Sequence, residues 1–189
     1  KLDYIARLGA NAISLTPIFE SSSLLKYDAF TFHHIDNNFG PDPDGDTTTW
    51  ARENPADPAT WRWTSADKLF LKLIKEAHKR NLRVMLDLVV DRVGWDFWAY
   101  RDVRAYGERS LFADWFTQPS MPSNVIWDPP PASGETVRFR SDSSGLIPGP
   151  RAYIEASLRR WMDPDGDGNP MDGIDGWMIV DPTGSPKAF

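Results

Sequence analysis

Three short apolar runs, each following a helix-like stretch, restrict what this chain can fold into more than any other feature. The clearest pair lies at residues 64–90. Thr64 with Asp67 three positions on has the spacing of a capping box, and Ala66, Phe70, Leu73 and Ala77 keep the 3.6-residue period of a helix. His78, Lys79 and Arg80 suit the negative end of the helix dipole, and Asn81 can take the left-handed cap. Residues 83–90 then form a run too apolar and β-branched to lie exposed on either face of a sheet.

The same alternation recurs twice. Leu2, Ile5 and Leu8 share a helical face that Gly9 ends, and residues 12–16 read as a short buried strand before Pro17. Pro150 is expected to open a helix carrying Ile154, Leu158 and Trp161, followed by a strand over 177–180. Strands alternating with helices imply βαβ units and a parallel sheet. Three such strands fit an incomplete doubly wound sheet or part of a barrel, and periodicity does not choose between them. Residues 20–63 read as loop. Residues 95–149 break the rhythm with two short amphipathic pieces (96–106 and 108–116) and a Pro/Ser/Gly-rich stretch around Pro129-Pro130-Pro131, an excursion long enough to be functional or a small subdomain. The first residues already read as helix and the last follow directly on a strand, so a segment of something longer is expected.

With 189 residues the chain can bury one ordinary core. The net charge of −6 and the lack of any Lys/Arg run argue against a nucleic-acid or anionic-membrane surface. No apolar stretch approaches a membrane span, and no Cys is present for a disulfide or thiolate metal site. The compartment stays open.

One loop has the composition of a cation site. Asp163, Asp165 and Asp167 occupy positions 1, 3 and 5, and Gly168 position 6, as in a calcium loop. The bidentate Glu of an EF-hand is replaced by Ile174, leaving Asp172 or Asp175 to substitute. A solvated Asp/Gly turn has the same composition. Asp42, Asp44 and Asp46 form a weaker set of this kind, and the adjacent His33 and His34, on a strand, would face opposite ways and share no metal. Trp95, Trp98 and Trp127 suit either a carbohydrate groove or ordinary packing.

Four stretches carry a family resemblance. KLDYIARLGANAISLTPIFE (1–20), KYDAFTFHHIDNNFG (26–40), MLDLVVDRVG (85–94) and GIDGWMIVDPTGSPKAF (173–189) resemble, in order and spacing, the first helix to the fourth strand of glycoside hydrolase family 13, the α-amylase family. Within it, 54–90 is most similar to the neopullulanase and cyclomaltodextrinase branch. The resemblance implies a partial (β/α)8 barrel of the TIM type. Residues 1–94 would carry helix 1 to strand 3, residues 95–149 a domain-B-like insertion, and residues 150–189 helix 3 to strand 4. The implied substrates are α-glucans such as starch, and the implied partner is the remaining half of the barrel. Tyr27 takes the place of a residue that stacks on the bound sugar, with Asp87 and Arg92 on the same substrate side.

The departures bear on activity. The family's third strand ends Asn-His, where this chain has Asp91 and Arg92. Asp91 can still offer calcium an oxygen, but Arg92 is bulky and always charged and would obstruct a sugar. The family's fourth strand carries Arg-x-Asp, the Asp being the nucleophile; here those positions are Met178 and Val180. Residues two apart share a strand face, so Asp181 reaches it only through a slip of register. Retaining glycosidases need two carboxyl groups roughly 5–5.5 Å apart, and the family's acid lies beyond Phe189. Two readings follow: a segment of an α-glucan hydrolase that is inactive as it stands, or a non-catalytic homologue kept for glucan binding or structure. Calcium is the one cofactor suggested.

Overall fold

The computed structural model describes residues 1–117, 136–169 and 171–180. In chain order its elements are α1 (Leu2–Arg7), β1 (Ala12–Leu15), α2 (Pro43–Trp50), α3 (Ser65–His78), β2 (Arg83–Leu88), β3 (Arg92–Gly94), α4 (Trp98–Tyr106), β4 (Thr136–Arg138), β5 (Ser141–Asp142), β6 (Gly145–Leu146), α5 (Pro148–Met162) and β7 (Gly176–Ile179). Among the described residues no helix is long and apolar enough to cross a membrane.

β1, β2 and β7 form one parallel sheet in that order, Ala12 opposite Arg83 and Met85 opposite Gly176. Strand order follows chain order without the reversal that marks a doubly wound sheet, which is the winding of a barrel. α3 forms where the helical period and its start signal coincide: Thr64 accepts from the Asp67 N–H at 3.0 Å and Asp67 accepts from the Thr64 N–H at 3.0 Å. Phe70, Ile74 and Ala77 of α3 share one buried core with Val84, Leu86 and Leu88 of β2 and Ile154 and Trp161 of α5. Asn81 takes the left-handed conformation at φ 55°. Asp175 then ties β7 back to β2, accepting from the Val84 N–H at 2.7 Å.

Several elements differ from the sequence reading. β1 is half exposed rather than buried, since among the described residues it has a neighbour on one side only. α2 lies in what reads as loop: Asp42 caps it by accepting from the Gly45 N–H at 3.1 Å, and Pro43 stands at its first position. Asp46 lies beyond that cap and accepts from the Ser65 N–H, the Ser65 hydroxyl and the Ala66 N–H at 2.6, 2.9 and 3.1 Å, closing the start of α3. The Asp42 and Asp46 carboxylates therefore serve helix N-termini. α5 starts at Pro148, two residues before Pro150, and the expected second amphipathic piece is reduced to two single 3₁₀ turns, Gly107–Arg109 and Ala113–Trp115.

His33 and His34 also correct the sequence reading. They lie in loop and not on a strand, so strand alternation does not apply. Both are buried and their rings sit 4.5 Å apart.

The excursion after β2 closes on itself. β3 pairs antiparallel with β4, Val93 opposite Val137, so the pairing reaches back to Arg92, ahead of residue 95. Gly94 donates to the Ala29 carbonyl at 3.0 Å, and a Cβ there would stand 2.3 Å from the Asp28 carbonyl oxygen, so only glycine lets this strand lie against the 21–30 loop. Trp98 packs edge-on against Phe112, Trp115 and Tyr153 at 5.0, 5.5 and 5.2 Å, and Trp95 against Tyr100 at 5.2 Å. These two tryptophans build the aromatic interior of the insertion; Trp127 lies outside the described residues.

Candidate active site

The end of β2 meets the 21–30 loop, with β7 beside it in the sheet. That loop is anchored by buried Asp28, which accepts from the Ser21 hydroxyl at 2.6 Å and also from the Ser23 hydroxyl. It carries Tyr27, whose hydroxyl donates to Asp87 Oδ2 at 3.2 Å across 60 residues of sequence. Asp87 stands directly opposite Met178 in the β2–β7 register. Cross-strand neighbours point to the same face, as do residues two apart. Met178 and Val180 therefore lie on the Asp87 face, the ladder continuing through the Val180 N–H to the Leu88 carbonyl at 2.9 Å. That face therefore carries a thioether directly opposite Asp87 and an isopropyl group two residues on. Asp181 lies outside the described residues.

Asp91 is buried just past the end of β2. Its oxygens accept from Arg92 Nε at 3.0 Å and Arg138 Nη1 at 2.6 Å, while its carbonyl accepts from the Phe139 N–H at 2.9 Å. The two guanidinium groups clamp the insertion onto the barrel strand and occupy the carboxylate with positive charge. Arg92 is drawn toward this clamp.

At the other end of the sheet, Asp163, Asp165 and Asp167 bring one carboxylate oxygen each within 4.8 Å of one another. The loop is shaped by its own turns: the Gly168 N–H donates to Asp163 Oδ2 at 3.0 Å and the Asp167 N–H to Asp165 Oδ1 at 3.1 Å. Asp163 Oδ1 is shielded from solvent and has no hydrogen-bond partner. Asp172 is the neighbouring carboxyl: burial, then the charges of Asp165, Asp163 and Asp167, push its pKa up. Asp175 turns away to His78 Nε2, at 2.8 Å. Three carboxylates thus converge, with Asp172 near them, in the all-oxygen donor type that a hard cation takes.

Under the 31–36 loop, His33 and His34 join Glu53 and Asp67 in a polar cluster that the sequence reading did not assemble. His34 bridges Asp67 and Glu53, with Nδ1 2.8 Å from Asp67 Oδ2 and Nε2 2.8 Å from Glu53 Oε2. Burial dominates at His33 and takes its pKa down to about 3, so the ring is neutral. Burial alone would raise the Glu53 carboxyl; hydrogen-bonded His34 and nearby His33 outweigh it and bring it down to about 2. Arg160 crosses this cluster, stacked 3.5 Å above the Trp63 ring and donating to the His33 carbonyl at 3.0 Å. The signal in the sequence is the doubled histidine, which becomes legible only once the segment is known to be loop.

A parallel sheet wound in chain order, with an antiparallel insertion after the second strand, fits part of a (β/α)8 barrel, and the Tyr–Asp pair lies at the strand ends, where such barrels carry their mouth. The alpha-amylase catalytic-domain family matches residues 1–49. Neopullulanase 2 of Thermoactinomyces vulgaris is 29% identical over 95% of the chain, and a cyclomaltodextrinase of Thermoanaerobacter pseudethanolicus is 36% identical over 61% of it. The acarbose-soaked debranching enzyme of Nostoc punctiforme superposes with a TM-score of 0.68 and 27% identity, covering 98% of this chain and 34% of that one. In sequence and fold the chain is similar to α-amylase-family glycoside hydrolases, neopullulanases and cyclomaltodextrinases among them. It spans 25% and 16% of the length of the two curated relatives named here.

Proposed function

We propose that this chain is the sugar-facing portion of an α-amylase-family domain, related to hydrolysis or transfer of α-glucosidic bonds in starch-like glucans, and that it is inactive by itself. The observation that supports this reading is the register of Met178 against Asp87; by the resemblance, Met178 stands at the family's strand-four arginine position and Val180 at its nucleophile position. Tyr27 and Asp87 keep an aromatic face and an acceptor for a pyranose. The purified chain is expected to release no reducing ends from soluble starch, pullulan or cyclodextrin over long incubation. Turnover that co-purifies with the chain and disappears in Asp181→Ala would overturn this and place Asp181 on the mouth face. The second reading, a non-catalytic glucan binder, rests on the retained Tyr27–Asp87 pair. It requires cyclodextrin binding by the inactive chain that Tyr27→Ala abolishes.

Calcium is the proposed cofactor, held by Asp163, Asp165 and Asp167 with Asp172 beside them. Bound calcium would neutralise that loop and hold the turn between α5 and β7. Calcium at a hundred times its dissociation constant adds about 2.7 kcal/mol to the folded state, which raises Tm by roughly 5–10 °C for a chain of this size. Magnesium, which demands a stricter octahedron, is expected to do less. The calcium shift should vanish in Asp165→Ala and persist in Asp91→Ala. Equal melts in calcium and in chelator would refute the site, and loss of the shift in Asp91→Ala alone would move it to the end of β2.

A further inference from the structure

Two imidazoles and a carboxylate converge at one point beneath the 31–36 loop. Glu53 Oε2 lies 2.8 Å from His34 Nε2 and 3.6 Å from His33 Nε2, and the three atoms all lie within 4.8 Å of one another. Ligands bonded at about 2.0–2.1 Å to a tetrahedral ion stand about 3.3 Å apart, and the two separations to Glu53 bracket that value. The outward-facing nitrogen of each ring is already engaged. His34 Nδ1 meets Asp67 Oδ2 at 2.8 Å; His33 Nδ1 meets the Thr31 and Tyr153 hydroxyls at 2.6 and 2.9 Å. This is the arrangement that orients metal-binding histidines, one nitrogen fixed from behind and the other presented to the ion. Glu53 is oriented too, because its other oxygen accepts from the Arg62 N–H. Trp61 stacks on His33 at 4.1 Å and 6°, and Trp50 lies 5.8 Å from His34, so the rings have little freedom to turn away.

We propose that His33, His34 and Glu53 bind a divalent transition-metal ion of the zinc class, leaving one position of a tetrahedron open. Imidazole with a single carboxylate suits zinc and its neighbours better than calcium, which prefers all-oxygen shells. A proton bridging His34 and Glu53 is the competing occupant, and it needs only one imidazole. The second imidazole converging on the same carboxylate oxygen is what a metal uses and a proton does not. Charge sets the scale of that competition. Glu53 and Asp67 are negative and Arg160, 3.5 Å from Asp67 Oδ2, is positive, so the pocket accepts a divalent ion with one net positive charge. The ion would join the 31–36 loop to the segment after α2 and so reinforce the wall behind the barrel mouth. The inference does not depend on the glucan reading.

The test is zinc titration of the chelator-stripped full chain by calorimetry, with cobalt as a spectroscopic substitute. One equivalent is expected to bind, cobalt giving the strong visible absorption of a four-coordinate site. His33→Gln and Glu53→Gln, checked for folding by circular dichroism, should each weaken binding by 100-fold or more. His78→Gln and Asp163→Ala should leave it unchanged. Failure of the folded parent to bind zinc, or equal affinity in folded His33→Gln, would overturn the proposal, as would loss of binding in His78→Gln or Asp163→Ala. Should the ligand variants not fold, X-ray absorption of the zinc-loaded parent decides. A shell with two imidazoles supports the site, and a shell with one or none refutes it.

Discussion

Asp67→Ala is expected to cost about 3–5 kcal/mol, the scale of removing one partner from a buried charged network. Asp67 has no solvent exposure and holds four donors at once. Oδ1 accepts from the Ile35 N–H at 2.8 Å, and Oδ2 from the Thr64 N–H at 3.0 Å, from His34 Nδ1 at 2.8 Å and from Arg160 at 3.5 Å. One carboxylate thus starts α3, fixes the 31–36 loop and faces a buried guanidinium. Truncation leaves two buried N–H groups without an acceptor and takes one of their partners from His34 and Arg160. Asp67→Asn keeps an oxygen for some of them and should fall between parent and alanine variant. Urea unfolding with comparison of slopes separates lost stability from a changed transition. A midpoint for Asp67→Ala equivalent to less than 1 kcal/mol of loss would show that solvent replaces these partners.

Trp161→Ala is expected to cost about 3–5 kcal/mol, as large-to-small changes at fully buried aromatic positions do. Trp161 is fully buried in α5, and its ring meets Trp63, Phe70 and Phe19 at 5.5, 5.7 and 6.2 Å. Its indole N–H also donates to the Phe32 carbonyl at 2.8 Å, so the substitution leaves a buried acceptor unpaired beside the cavity. Exposed Glu155 on the same helix is the control, since surface changes usually stay within about 0.5 kcal/mol. Similar thermal melts for Trp161→Ala and Glu155→Ala would mean that this helix does not hold the core together.

Where local signals agree, the sequence was enough. α3 and β2 combine a capping box, a 3.6-residue period, a left-handed Asn81 and an unbroken apolar run, each independent of the rest of the chain. α2 fails that test. Gly45 and three threonines are poor helix formers, and the helix stands because Asp42 caps it and Asp46, within it, ties it to the start of α3, contacts that only the folded geometry reveals. The Met178 and Val180 face was legible because alternation along a strand is rigid. The engagement of Asp91 was not, because Arg138 reaches it from the far side of the insertion. His33 and His34 were misread for the converse reason: alternation was assumed for a segment that is loop. The family resemblance singles out Tyr27 and Asp87 one by one, and the hydrogen bond between them comes only from the fold.

The way the sheet is strung together also sets the order of events when the chain folds. Val84 and its partner Asp175 are 91 residues apart, and Phe32 and Trp161, which meet in the core, are 129 apart. Closing loops of that length loses entropy before any contact repays it, and folding slows as contacts become more distant. α3 and β2 can form early from neighbouring residues, but β7 docks only after the whole insertion has emerged and α5 has come back. Until then β2 presents an open edge and α3 an uncovered apolar stripe. Dilution from denaturant should therefore give yields that fall as protein concentration rises, with association between half-formed chains competing against the return of the last strand.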